Sequence, residues 1–203
     1  MPVMAERGRA RARNDAEALR AAYRMARCQY ERRPDAVVDT LNAVSDADRD
    51  KHHRQLQKII QCHNAMLMDG MWVEGASVQT PPDVLRGMLA EAALSNMKQD
   101  DALDALPAQA SYVRPWFAVS GRDPVANEMA ACVAEQNPRG IRTLLATDRE
   151  SSEELAATRA LSGSLGPCLP KGATLKANRQ SLRAALAEAL FHRATAPALA
   201  TTN

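Results

Sequence analysis

Leu85 to Leu94 reads LRGMLAEAAL, and Leu182 to Phe191 reads LRAALAEALF. In the first, Leu85, Met88, Leu89 and Ala92 recur at helical spacing; in the second, Leu182, Ala185, Leu186 and Ala189 do the same. Each set falls on one apolar face of a helix, and the alanines let a partner helix approach closely. A chain that writes one helix twice invites comparison of its halves. At a shift of 104 (129 − 25), MARCQYERRP meets MAACVAEQNP, and Leu41 meets Leu145. The later cysteines, Cys62 and Cys168, match at 106 (168 − 62). GASV and GATL match at 97 (172 − 75), as do the two decapeptides (182 − 85). These matches keep their order, which points to an internal duplication with an insertion around NAMLMDGMWVE in the first copy.

Each copy reads as three or four helices. The first helix carries Leu19, Tyr23, Ala26 and Tyr30, and its counterpart Val125, Met129, Cys132 and Val133. Pro34 and Pro138 end these helices and open a short second one, because proline fits a first turn and breaks an interior. Ser45, and Asp148 or Ser151, are N-cap candidates for a third helix. That helix places Leu56, Ile59 and Ile60 inward in the first copy and ends near Leu165 in the second. The expected fold is all-α: two pseudo-symmetric units of three to four helices, packed as one compact bundle. The chain divides into a basic disordered tail (1–13), unit one (14–97), a connector (98–124), unit two (125–194) and a disordered tail (195–203). Each repeated helix is expected near the pseudo-axis, against its twin or the other unit.

Four cysteines permit three pairings. A duplicated gene carries both ends of a bridge, which selects Cys28–Cys62 and Cys132–Cys168. Loops of this length give on the order of 3.5–4 kcal/mol per bridge in the chain-entropy model, and persistent disulfides belong in oxidising compartments. Three other readings stand beside this one. The cysteines can be reduced and buried as small apolar residues. A metal site would draw on Cys62 with His52, His53 and His63, although no CxxC or HxxxH is present. A catalytic thiol would need a base partner and a lowered pKa.

Composition narrows the function. Apolar residues make up 46% of 203, enough for a sizeable core, and aromatics only 3%, which suits close-packed helices. The net charge is +2, of which +3 lies in the first thirteen residues, leaving the body near −1 (2 − 3). No basic face for nucleic acid follows from this balance. No apolar run reaches the length of a membrane helix. No glycine-rich phosphate loop, GxSxG, HExxH or EF-hand pattern is present. No catalytic residue, metal site or cofactor is therefore expected, and the adjacent His52 and His53 read as a solvated helix face. Val3-Met4-Ala5 has the small residues of a signal-peptidase site, with Glu6 first in the mature chain, so an apolar leader upstream is the expectation.

Two groups remain as candidate sites. Arg86 with Glu91 and Arg183 with Glu188 recur in the repeated helix. If the carboxylates met across the axis they would share a proton or bind a cation; the structural alternative pairs each with an arginine or a helix end. Met66, Met68, Met71 and Trp72 in the insertion, with Trp116 in the connector, form a candidate interaction surface, since flexible methionines adapt to partners. Tyr112, Trp116 and Phe117 also suit docking of the connector onto the bundle.

The ordered set MARC, P, LL, C, GATL and LRAALAEAL resembles a group of uncharacterised exported alphaproteobacterial helical proteins with duplicated two-cysteine units. The likeness covers about 25–97 and 129–194. It implies export and an all-helical fold, and brings no activity or site residue with it. The function expected is thus an exported, periplasmic or secreted, disulfide-stabilised protein with a binding or structural-interaction role, its partner an unidentified protein or small ligand. The alternative is a cytosolic helical regulator or enzyme with free buried thiols.

Overall fold

Prolines at helix starts and asparagine, serine or aspartate caps punctuate the chain into helices. A computed structural model describes residues 4–5, 15–63, 78–97, 103–175 and 177–196. Helix α1 (Asp15–Arg32) stops where Pro34 opens α2 (Pro34–Asn42). Ser45 then caps α3 (Asp46–Gln57), its Oγ accepting the Asp48 N–H. A short α4 (Ile60–His63) follows, and after it α5 (Pro82–Ser95). A 3₁₀ turn at Pro115–Val119 leads into the second series: α6 (Pro124–Gln136), α7 (Pro138–Leu145), α8 (Ser152–Leu165) and α9 (Arg179–Thr195). Asp123, Asn137, Ser151 and Asn178 each accept a first-turn N–H of the helix that follows, which satisfies one of the orphan donors every helix start exposes. Ser151, rather than Asp148, is the cap of α8.

The core is centred on α5 and α9, which pack on each other; α1 and α2 lie against α5, and α6 and α7 against α9. Every residue from Val84 to Leu94 and from Leu182 to Phe191 is buried. The single apolar face read from the sequence is thus a correction: both repeated helices are enclosed all round, and their arginines and glutamates are enclosed with them. Close approach explains how. A Cβ built on Gly87 would overlap the Cα and Cβ of Ala184, so only a residue without a side chain fits that crossing. Gly87 and Ala184 hold the same place in the two decapeptides.

Three further expectations change. Ile60 is 71% exposed rather than inward. The cause is a break in the helix: α3 ends at Gln57, the Ile60 N–H bonds back to the Lys58 carbonyl, and α4 begins only at Ile60. Ile59 alone of that pair packs against the core. Met4 and Ala5, placed in a disordered tail, form a two-residue antiparallel pair with Gln79 and Val78. His52 and His53 are half-buried rather than solvated; His52 Nδ1 lies 3.8 Å from Asp39 Oδ2, and burial pushes the His53 imidazole down. Among the described residues, no helix is long and apolar enough to cross a membrane.

Candidate functional site

Because α5 and α9 cross in opposite senses, the arginine of one meets the glutamate of the other. Arg86 Nε donates to Glu188 Oε1 at 2.7 Å, and Arg183 donates through Nη2 to Glu91 Oε1 at 2.7 Å and through Nε to Oε2 at 3.1 Å. The same guanidiniums reach the short helix on their own side. Arg86 donates to the Thr40 and Leu41 carbonyls, both at 2.8 Å; Arg183 donates to the Leu145 and Thr147 carbonyls, both at 3.0 Å. These carbonyls sit at or just past the ends of α2 and α7, where intrahelical donors run out. Each arginine therefore caps a helix of its own half while it binds the other half.

A second arginine completes each carboxylate. Arg122, from the connector, donates to Glu188 Oε2 at 2.5 Å and also to the Asp83 carbonyl. Arg149 donates to Glu91 Oε2 at 2.6 Å and lies 3.4 Å above the Tyr23 ring. Glu154, wholly buried, takes Arg183 Nη1 at 2.8 Å and lies 3.3 Å from Arg179. His192 sits 3.9 Å from Glu188 and stacks on Trp116, ring centroids 4.5 Å apart.

Electrostatics hold Glu188 and Arg183 in their ionised forms. Burial pushes the Glu188 carboxyl up, but the charges of Arg122 and Arg86 overcome it and hold it well below the usual carboxylate range. Burial pulls the Arg183 guanidinium down, yet Glu91 and Glu154 leave it raised. Arg149 is lowered, chiefly by burial, and Tyr23 is raised by burial and by Glu91. A general acid or base works best with a pKa near the working pH, and an arginine stays charged throughout. Glu91 and Glu188 do not share a proton or a cation: each is bridged by two guanidiniums. Among the described residues, no group of three His, Cys, Asp or Glu side chains is placed to hold a metal. What the cluster does is lock α5, α9, the connector and the ends of α2 and α7 in one register.

The cysteines come together as Cys28 with Cys62 and Cys132 with Cys168, with Cα separations of 5.4 and 5.6 Å, both within the range a disulfide needs. Each pair joins the first helix of a half to the segment after the third. Trp116, expected on an interaction surface, is buried; it packs edge-on to Phe117 and flat on His192, so it docks the connector. Met66, Met68, Met71 and Trp72 lie outside the described residues. An open cleft of about 470 Å³ lies between the C-terminal ends of α1 and α3.

Sequence reading missed Arg122, Arg149 and Glu154 as members of the buried cluster. Glu154 had a signal: Ser151-Ser152-Glu153-Glu154 has the serine and glutamate spacing of a capping box, and its carboxylate does turn back to the Glu150 N–H at 3.0 Å. Arg122 and Arg149 lie in loops, where periodicity is silent. Comparison of the chain with protein-family models, with curated proteins and with solved structures returned no match.

Proposed function

We propose that this chain is an exported, disulfide-stapled helical protein with a binding or structural-interaction role, built from two copies of one ancestral unit. The observation that carries the reading is the placement of the cysteines: each pair lies within one half, at matching places, and at disulfide distance. Two such bridges persist in the periplasm or outside the cell and are rare under cytosolic reduction. The duplication reading draws support from the α5–α9 crossing, where residues at equal places meet as Arg86–Glu188 and Arg183–Glu91. The interaction role draws support from the chemistry of the buried cluster, whose paired guanidiniums and carboxylates fix geometry between the halves. The exported likeness read from the sequence agrees with this picture.

The test is an intact-mass measurement on protein taken from the native cell envelope and culture medium, without reductant. The expected mass is four protons below that of the reduced chain. Recovery from the cytosolic fraction with four alkylatable cysteines overturns the reading.

A further inference from the structure

The cleft between the ends of α1 and α3 is lined by Arg32, Arg33, Gln55, Lys58, Ile59 and Gln61. Three of these are cations and none is an acid. Arg33 is held by Asp35 through Nε at 3.1 Å and Nη2 at 2.9 Å, whereas Arg32 and Lys58 have no side-chain partner among the described residues. Counting Asp35, the mouth carries a formal charge of +2 (3 − 1). Ile59 packs partly into the core and forms the apolar wall. The walls are tied covalently: Arg32 lies one turn beyond Cys28, and Gln61 adjoins Cys62.

The second half fills the corresponding positions differently. Five residues after the first cysteine stand Arg33 and Asn137; four before the second stand Lys58 and Ser164. Asn137 Nδ2 donates to Ser164 Oγ at 2.9 Å and closes the gap. Ile59 and Leu165, three before their cysteines, keep the same apolar role. One half therefore seals this seam with a neutral hydrogen bond. The other sets two cations at the corresponding places, Arg33 paired with Asp35 and Lys58 without a side-chain partner among the described residues, so no direct bond joins them.

We propose that this cleft binds a phosphate monoester, whose dianion matches the +2 mouth. Its tetrahedral oxygens accept from Arg32 and Lys58 while Arg33, oriented by Asp35, presents an edge of its guanidinium, and Gln55 and Gln61 donate from the rim. Free ester and lipid headgroup share this chemistry, and the experiment separates them.

The proposal gives a ligand class to the binding role above and rests on that reading for its biological use. The titration uses protein whose mass shows both bridges formed, so failure of binding leaves the export reading standing. Glycerol 3-phosphate is titrated calorimetrically at low salt. In parallel, protein is co-sedimented with phosphatidylcholine vesicles with and without phosphatidic acid. The expected result is saturable binding that the double variant Arg33→Asn/Lys58→Ser weakens by about tenfold or more. That variant installs the pair the second half already uses; Arg32→Gln, at an exposed position, repeats the test should the double variant fold poorly. Binding of the soluble ester assigns the site to free ligand, and capture by phosphatidic acid alone assigns it to a headgroup. Absence of saturable binding in both arms, or unchanged binding by both variants, overturns the proposal.

Discussion

Glu188 sits at a demanding position: it is fully buried, with Arg86 and Arg122 on its two oxygens. Removing one member of such a group strands the others in low dielectric, at a cost of about 3–5 kcal/mol. Glu188→Gln is expected to fall in that range by urea unfolding at neutral pH. Glu91→Gln is expected to cost less, because Arg183 keeps Glu154 at 2.8 Å while Arg86 keeps only carbonyls. Equal costs would show that Glu154 does not carry the second cluster. Acid tests the same carboxyl. Its folded pKa is lowered from an ordinary value of 4.5, so the stability it contributes is complete above about pH 4.5. That contribution declines as pH falls below this value and is lost through the folded pKa, in strong acid. Unfolding free energies measured from pH 6 to pH 2 should fall more steeply in the native protein than in Glu188→Gln; parallel curves would remove Glu188 from the account.

Among the helices, the same substitution at two glycines separates packing from propensity. Gly87 lies where α5 touches α9, and a methyl there overlaps the Ala184 backbone; Gly87→Ala should destabilise by roughly 1–3 kcal/mol or more, with the helices forced apart. Gly163 lies in α8 with nothing near its would-be Cβ; Gly163→Ala should stabilise by about 0.5–1 kcal/mol. Thermal melts of the two variants are expected to shift in opposite directions, and a shared direction would contradict the close crossing. Much of this level was legible beforehand. Pro34, Pro138, Ser45 and Ser151 mark helix starts because a missing N–H or a side-chain acceptor acts locally. The boundary at Leu165 follows from the glycine and proline beside it. Ile60 misled because a helix break at Lys58 carries no glycine or proline to announce it. The arginine–glutamate pairing was legible as a kind of contact, since the sequence offered each repeated glutamate an arginine; which arginine it takes was not, because the partner comes from the other half, about a hundred residues away in sequence. The basic cleft was illegible on the same ground, since Arg32 and Lys58 become neighbours only after α1 and α3 fold together.

The whole molecule is held in two different ways. Within each half a disulfide joins first helix to third segment; between halves the joint is non-covalent, through α5, α9 and the connector's Arg122. The sequence separations of the bridges are 34 and 36 residues, and their loops do not overlap. Chain-entropy reasoning then assigns each bridge about 3.5–4 kcal/mol, nearly the same for both. Cys28→Ala/Cys62→Ala and Cys132→Ala/Cys168→Ala should therefore lower unfolding free energy by similar amounts, and the quadruple variant by about 7–8 kcal/mol if the loops act independently. Against a typical stability of roughly 5–15 kcal/mol, that loss brings the bridge-free chain to the edge of unfolding. Chemical denaturation of the three variants decides the point. A quadruple variant that loses much less than the sum would mean that the arginine–glutamate joint holds the halves with little help from sulfur. In that case the stabilising role assigned to the bridges would belong to the buried charges instead.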